Sequence, residues 1–149
     1  MKRTLKLLGL LIVMGLIFFF SSQPSNDSTV TTNWVIEFVY KIYDFFVNGK
    51  GYDYNTFWFY YFKPIRKLAH FSEYGVLGML AYTNVKEYFK KKHILYALII
   101  SVLYAISDEI HQLFVAGRYC SFVDVLIDTS GAFCAILLIH FISKKCIKE

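Results

Sequence analysis

The sequence predicts an all-α integral membrane bundle of four transmembrane helices, with one interfacial amphipathic helix in the first outer loop. Three observations carry this. Of 149 residues, 56% are hydrophobic and 19% aromatic, while only 18% are charged; soluble domains sit nearer half apolar and a quarter charged. Four segments are apolar over lengths near the ~20 residues needed to cross ~30 Å of hydrocarbon. The basic residues gather at the ends of those segments, as lysines flanking membrane spans do. The same placement accounts for the net charge of +5 without nucleic acid as a partner. The chain reads as one membrane domain, residues 1–149, with the lipid bilayer as its first partner.

The first span is Leu5–Phe20, preceded by Lys2, Arg3 and Lys6. Its basic start and apolar run resemble a signal peptide, but "SSQPSNDS" offers no small-residue cleavage pattern, so a retained anchor is expected. The second span covers about 65–85, opened by Pro64, a residue suited to a first helical turn. The third covers about 94–115 and the fourth about 122–142. Between the first two, "WVIEFVYKIYDFFV" (Trp34–Val47) sets Glu37, Lys41 and Asp44 at i, i+4, i+7 on one helix face. The remaining surface is apolar and aromatic, as in a helix lying in the headgroup plane or docked on the bundle. "NGKG" (Asn48–Gly51) ends that helix. "YDYNTFWFYYF" then supplies aromatics of the membrane boundary.

Orientation follows from lysine and arginine placement. With both termini cytoplasmic, ten of the sixteen basic residues lie inside. Lys86, Lys90, Lys91 and Lys92 crowd the second loop against Arg118 alone in the third. The first loop is then extracytoplasmic. In that frame His70 and Glu73 lie ~8 to 14 Å along the second span, and Asp108, Glu109 and Gln112 lie ~5 to 11 Å from the outer end of the third. Asp124 and Asp128 lie ~3 to 9 Å into the fourth. Three helices thus bring ionisable groups to one depth.

Helical phase agrees. Lys67, His70 and Glu73 repeat at i, i+3, i+6, with Tyr74 beside them. Asp108 and Gln112 are i, i+4. Asp124, Asp128, Gly131 and Ala135 form a stripe whose inner half is small enough for close helix contact. A charge at mid-span costs ~2.5 to 3.5 kcal/mol on insertion scales, and short carboxylates cannot snorkel, so these acids are expected to face protein. Cys120, Cys134 and Cys146 have no metal-ligand spacing, and their predicted positions (outside, mid-span and inside) preclude a disulfide within the chain.

"KLAHFSEYGVLG" and "SDEIHQLFVAGRYCSFVDVLIDTSG" resemble the VanZ-like family of bacterial membrane proteins, whose founding member is associated with teicoplanin resistance. The resemblance is carried by Lys67, His70, Phe71, Glu73, Tyr74, Asp108, Glu109, Gln112, Gly117, Arg118, Asp124, Asp128 and Gly131. It implies a cell-envelope context and supplies no reaction.

Three readings stay open. In an envelope enzyme, His70, Glu73, Asp108 and Glu109 would do acid–base work, with substrate held by Lys67, Tyr74, Gln112, Arg118, Asp124 and Asp128. The substrate would be a lipid-linked cell-wall precursor or a glycopeptide. The oxygen-rich donor set also suits a divalent cation such as Mg²⁺ or Mn²⁺, and one histidine among carboxylates leaves Zn²⁺ open as well. In a non-catalytic binder or scaffold, the same polar cluster joins helices, with Arg118 paired to Asp124. A proton or ion pathway is the third, less supported because the inner halves of the spans carry no matching relay.

Overall fold

The computed structural model describes residues 2–145. Among them are five helices and no strand: α1 (Lys2–Ser21), α2 (Ser25–Val47), α3 (Tyr54–Tyr88), α4 (His93–Gln112) and α5 (Phe122–Lys145). Cys146, expected on the inner side, lies outside the described residues. Helices α1, α4 and α5 are long and apolar enough to cross a membrane.

Three boundaries differ from the sequence reading. Helix α2 starts at Ser25, well before Trp34. The hydroxyls of Thr29 and Thr32 donate to the carbonyls of Ser25 and Ser28, one turn back, at 2.7 and 2.9 Å. The polar run that reads as loop is thereby satisfied inside a helix. The end of α2 is as expected: Asn48 and Gly49 take left-handed conformations, with φ of 50° and 70°.

Helix α3 begins at Tyr54, so Pro64 lies inside it and not in its first turn. The deciding signal is Asp53. Its carboxylate accepts from the backbone N–H groups of Asn55 (3.1 Å) and Thr56 (3.3 Å) and from the Thr56 hydroxyl (2.5 Å). That N-cap satisfies two otherwise orphaned donors. The third difference is at α4, which stops at Gln112 and does not reach Val115. Leu113, Phe114 and Val115 donate three residues back, to Ile110, His111 and Gln112, a 3₁₀-like tightening common at helix ends.

The 35 residues of α3 span about 50 Å, more than one hydrocarbon core. Its first part pairs with α2. Ile36 is fully buried there, Trp58 Nε1 donates to Asn33 Oδ1 at 2.8 Å, and the Phe57 ring meets Tyr43 and Tyr40 at 4.9 and 5.3 Å. The rest of α3 is the centre of the bundle, and α3 packs on all four other helices. Its approach to α5 is the closest. A Cβ at Gly78 would sit 2.7 Å from the Ala132 carbonyl oxygen, and one at Gly131 would collide with the Phe71 carbonyl. Tyr74, Leu77, Tyr82 and Ile136 fill the core around this contact.

The exterior is apolar: Phe18, Leu103, Leu126, Leu138 and Phe141 are all exposed. At one end of the bundle, Arg3 and Lys6 pair with Glu87, Asn84 Nδ2 donates to the Lys6 carbonyl at 3.0 Å, and the Tyr82 hydroxyl meets His140 Nδ1 at 2.9 Å. The chain's polar cluster occupies the opposite end.

Candidate functional site

Four segments build that cluster: the C-terminus of α1, the middle of α3, the last turn of α4 and the first two turns of α5. Gln112 is the hub. Its Nε2 lies 3.2 Å from Ser21 Oγ, 3.3 Å from Asp108 Oδ2 and 3.3 Å from Glu109 Oε1. An amide nitrogen has only two protons, so these three acceptors share them. Glu109 is buried, and its second oxygen accepts from the Ser121 N–H at 2.6 Å. Ser121 in turn caps α5, its Oγ accepting from the Asp124 N–H at 3.3 Å. In the usual capping box the residue at Asp124's position would reach back to the Ser121 N–H; here Glu109 takes that donor from another helix. Asp124 is thereby free to pair with Lys67, 3.0 Å away.

Arg118 does not pair with Asp124. Its Nε and Nη2 donate to the carbonyls of Gln23 (2.9 Å) and Phe20 (3.0 Å). It closes the C-terminus of α1, where carbonyls lack helical partners. A further link, from the Ser25 N–H to the Ala116 carbonyl at 3.2 Å, ties the α1–α2 turn to the α4–α5 loop. Burial holds the Arg118 guanidinium below its ordinary pKa, and the neighbouring charge of Arg66 pushes the same way.

His70 meets Asp128, with Nδ1 3.9 Å from Oδ1. Asp128 is fully buried, and neither of its oxygens has a hydrogen-bond partner among the described residues. The His70 side chain is 21% exposed and lines two cavities, one of about 170 Å³ and one of about 330 Å³. With Nδ1 turned to Asp128, Nε2 is the nitrogen left for a ligand. At that distance the two are not hydrogen-bonded, and Nδ1 has no other partner among the described residues, so the carboxylate bears on the ring through its charge.

The other expected site residues divide by position. Lys67, Gln112, Arg118 and Asp124 line the larger cavity, and Glu73 lines the smaller. Asp108, Glu109 and Asp128 line neither. Tyr74 does not fit a ligand-contact role, because it is fully buried, packs against Tyr104 with ring centroids 6.3 Å apart, and lines neither cavity. One helical turn past His70, it points into the core. His111, next to Gln112 in the chain, shares a 3.0 Å hydrogen bond with Ser22 Oγ. Among the described residues no three His, Cys, Asp or Glu side chains group closely enough to hold a metal ion. Asp124 is turned to Lys67, and Glu109 to the Ser121 amide.

Lys63 and Arg66 also line the larger cavity; the sequence suggests Arg66 only as a counter-charge for the acids and gives Lys63 no role in the site. The signal was present: Lys63, Arg66 and His70 fall at i, i+3, i+7 on one face. The Ser-x-x-Asp cap at Ser121 was legible too.

A family model described as VanZ/LLP1 matches residues 6–143. The chain belongs to this family. Neither a curated protein nor a solved structure matches it. Almost all of the bundle falls within the matched region, including every residue of the polar cluster, so the cluster is part of the VanZ/LLP1 domain and not an addition to it.

Proposed function

We propose that this VanZ/LLP1 protein is a polytopic cell-membrane protein whose polar site, at the outer leaflet, binds a cell-envelope precursor or a glycopeptide and acts on it through His70. In this reading α1, the later part of α3, α4 and α5 cross the membrane, and residues 1–149 form one domain. Helix α2 and the start of α3 form a hairpin in the outer headgroup layer, and both termini are cytoplasmic. Lys63, Arg66, Lys67 and Glu73 keep α3 from being uniformly apolar, but its packing against all four other helices gives those charges partners or cavities to face. The lysines at the opposite end, Lys86 and Lys90 to Lys92, support the orientation.

The observation that carries the reading is the His70–Asp128 pair. A buried carboxylate with no donor of its own is expensive to keep, and a structural role gives no reason to keep one facing a cavity-lining imidazole. Such a pair is suited to general acid–base chemistry, with the Asp128 charge stabilising the ring when it carries a second proton. The test is the envelope phenotype, glycopeptide susceptibility of a host expressing each variant, measured beside membrane abundance. His70→Asn should lose the phenotype at normal abundance. Full phenotype in that variant sinks the reading.

A second reading, a non-catalytic binding or scaffold protein, is favoured by the rest of the cluster. Glu109, Gln112, Ser121, Asp124 and Lys67 are mutually hydrogen-bonded or paired across α3, α4 and α5. They join helices whatever His70 does.

A further inference from the structure

The two cavities beside His70 differ in chemistry and share a wall. The smaller lies among α1, α2 and α3; its open surface is mostly apolar, with Ile17, Phe20, Val35 and Ile65 on its sides beside Thr32 and Glu73. The larger opens between α3 and the α4–α5 loop, where four cations, Lys63, Arg66, Lys67 and Arg118, face one lining carboxylate, Asp124. Arg66, His70 and Arg118 line both.

The cations are not equally engaged. Lys67 is neutralised by Asp124. Arg118 is held by two carbonyls, which aim the guanidinium without cancelling its charge. Lys63 and Arg66 make no hydrogen bond or ion pair among the described residues. Two guanidiniums that share one cavity wall repel each other, and an anion between them relieves that repulsion. At about 330 Å³ the basic cavity is within the usual range of ligand clefts, ~300 to 1,000 Å³.

We infer that this site takes an anionic amphiphile: a phosphate-class head between Arg66 and Arg118 at His70, and an apolar chain along the α1–α2–α3 groove. Donors arriving from several directions suit a multiply charged group with three acceptor oxygens better than a flat carboxylate. The apolar chamber with common walls is what separates an amphiphile from a free anion, which would leave that chamber unfilled. The inference rests on reading the His70 cavity as the ligand site, and it names the chemical class that the site accepts.

The test is native mass spectrometry of the full chain released from neutral maltoside micelles, titrated with dodecyl phosphate, dodecanol or inorganic phosphate. One dodecyl phosphate should bind, at least tenfold more tightly than either other probe. Arg66→Ala should weaken it at least tenfold, and the residue's lack of a protein partner leaves the fold intact. Ala69→Phe, at an exposed residue lining the apolar groove, should weaken dodecyl phosphate and leave inorganic phosphate unchanged. Inorganic phosphate binding as well as dodecyl phosphate overturns the amphiphile. Dodecanol binding equally well, or an Arg66→Ala variant that binds as wild type does, overturns the anionic head. No binding of dodecyl phosphate, with His70→Asn still abolishing the envelope phenotype, overturns the ligand class and leaves the proposed function standing.

Discussion

Gly131→Ala adds one methyl group where the structure has no room for it. The new Cβ would collide with the Phe71 carbonyl oxygen, and its next neighbours would be the Phe71 carbonyl carbon at 2.9 Å and Cα at 3.1 Å. All three are backbone atoms of α3, which cannot rotate aside as a side chain can. The helices must separate by several tenths of an ångström or more, loosening the packing around Gly75, Gly78 and Ala132 as well. Overpacking of this kind costs ~1 to 3 kcal/mol in well-packed cores. At ~2 to 4 °C per kcal/mol for a chain of this size, the melting temperature in detergent should fall by roughly 2 to 12 °C. Two glycines are internal controls. A Cβ at Gly75 would make ordinary contacts at 3.6 and 3.8 Å, and one at Gly15 would meet nothing within 4 Å. Gly75→Ala and Gly15→Ala should hold or raise the melting temperature, since alanine is the better helix former by up to ~1 kcal/mol. If Gly131→Ala melts with wild type while Gly75→Ala is destabilised, the α3–α5 contact is misplaced.

Glu109→Gln should destabilise the chain by ~1 to 3 kcal/mol, seen as a lower melting temperature in detergent, because both glutamate oxygens accept from N–H donors and an amide must turn its own NH₂ toward one of them. A variant as stable as wild type would show that the link from Glu109 to the α5 cap contributes nothing. Cys120 is an exposed free thiol at the polar end of the bundle, so a membrane-impermeant maleimide should label it in intact cells. In a Cys120→Ala background, a cysteine at Asn55 should be labelled and one at Lys90 should not. The reverse pattern would place the polar end in the cytoplasm.

The parts of this fold that rest on one helix at a time were legible in the sequence. α1, α4 and α5 announce themselves by unbroken apolar length, and the Gly131 stripe by its period. Asn48 and Gly49 mark a helix end through local backbone chemistry. What was misjudged depends on rival local signals or on partners far along the chain. Pro64 outweighed Asp53 as a start signal because proline is conspicuous, whereas the cap needs only one carboxylate before Asn55 and Thr56. The threonines of α2 read as loop because their back-bonding to Ser25 and Ser28, and Asn33's bond to Trp58, leave no apolar period. In the site, depth and phase identified the helices that meet, but not the pairs formed there. Lys67 rather than Arg118 takes Asp124, since Arg118 is drawn to the carbonyl end of α1, and the facing of His70 and Asp128 follows from the close glycine contact one turn away.

The central claim is that the cluster contains groups kept for chemistry and not for holding helices together. Asp128→Asn tests this most directly, because the carboxylate has no hydrogen bond to lose. A buried amide is easier to desolvate than a buried carboxylate, so the variant should melt at or above the wild-type temperature. The same protein should lose the envelope phenotype at normal membrane abundance, because an amide cannot stabilise a protonated His70. A stable, abundant Asp128→Asn protein with full phenotype would contradict the account.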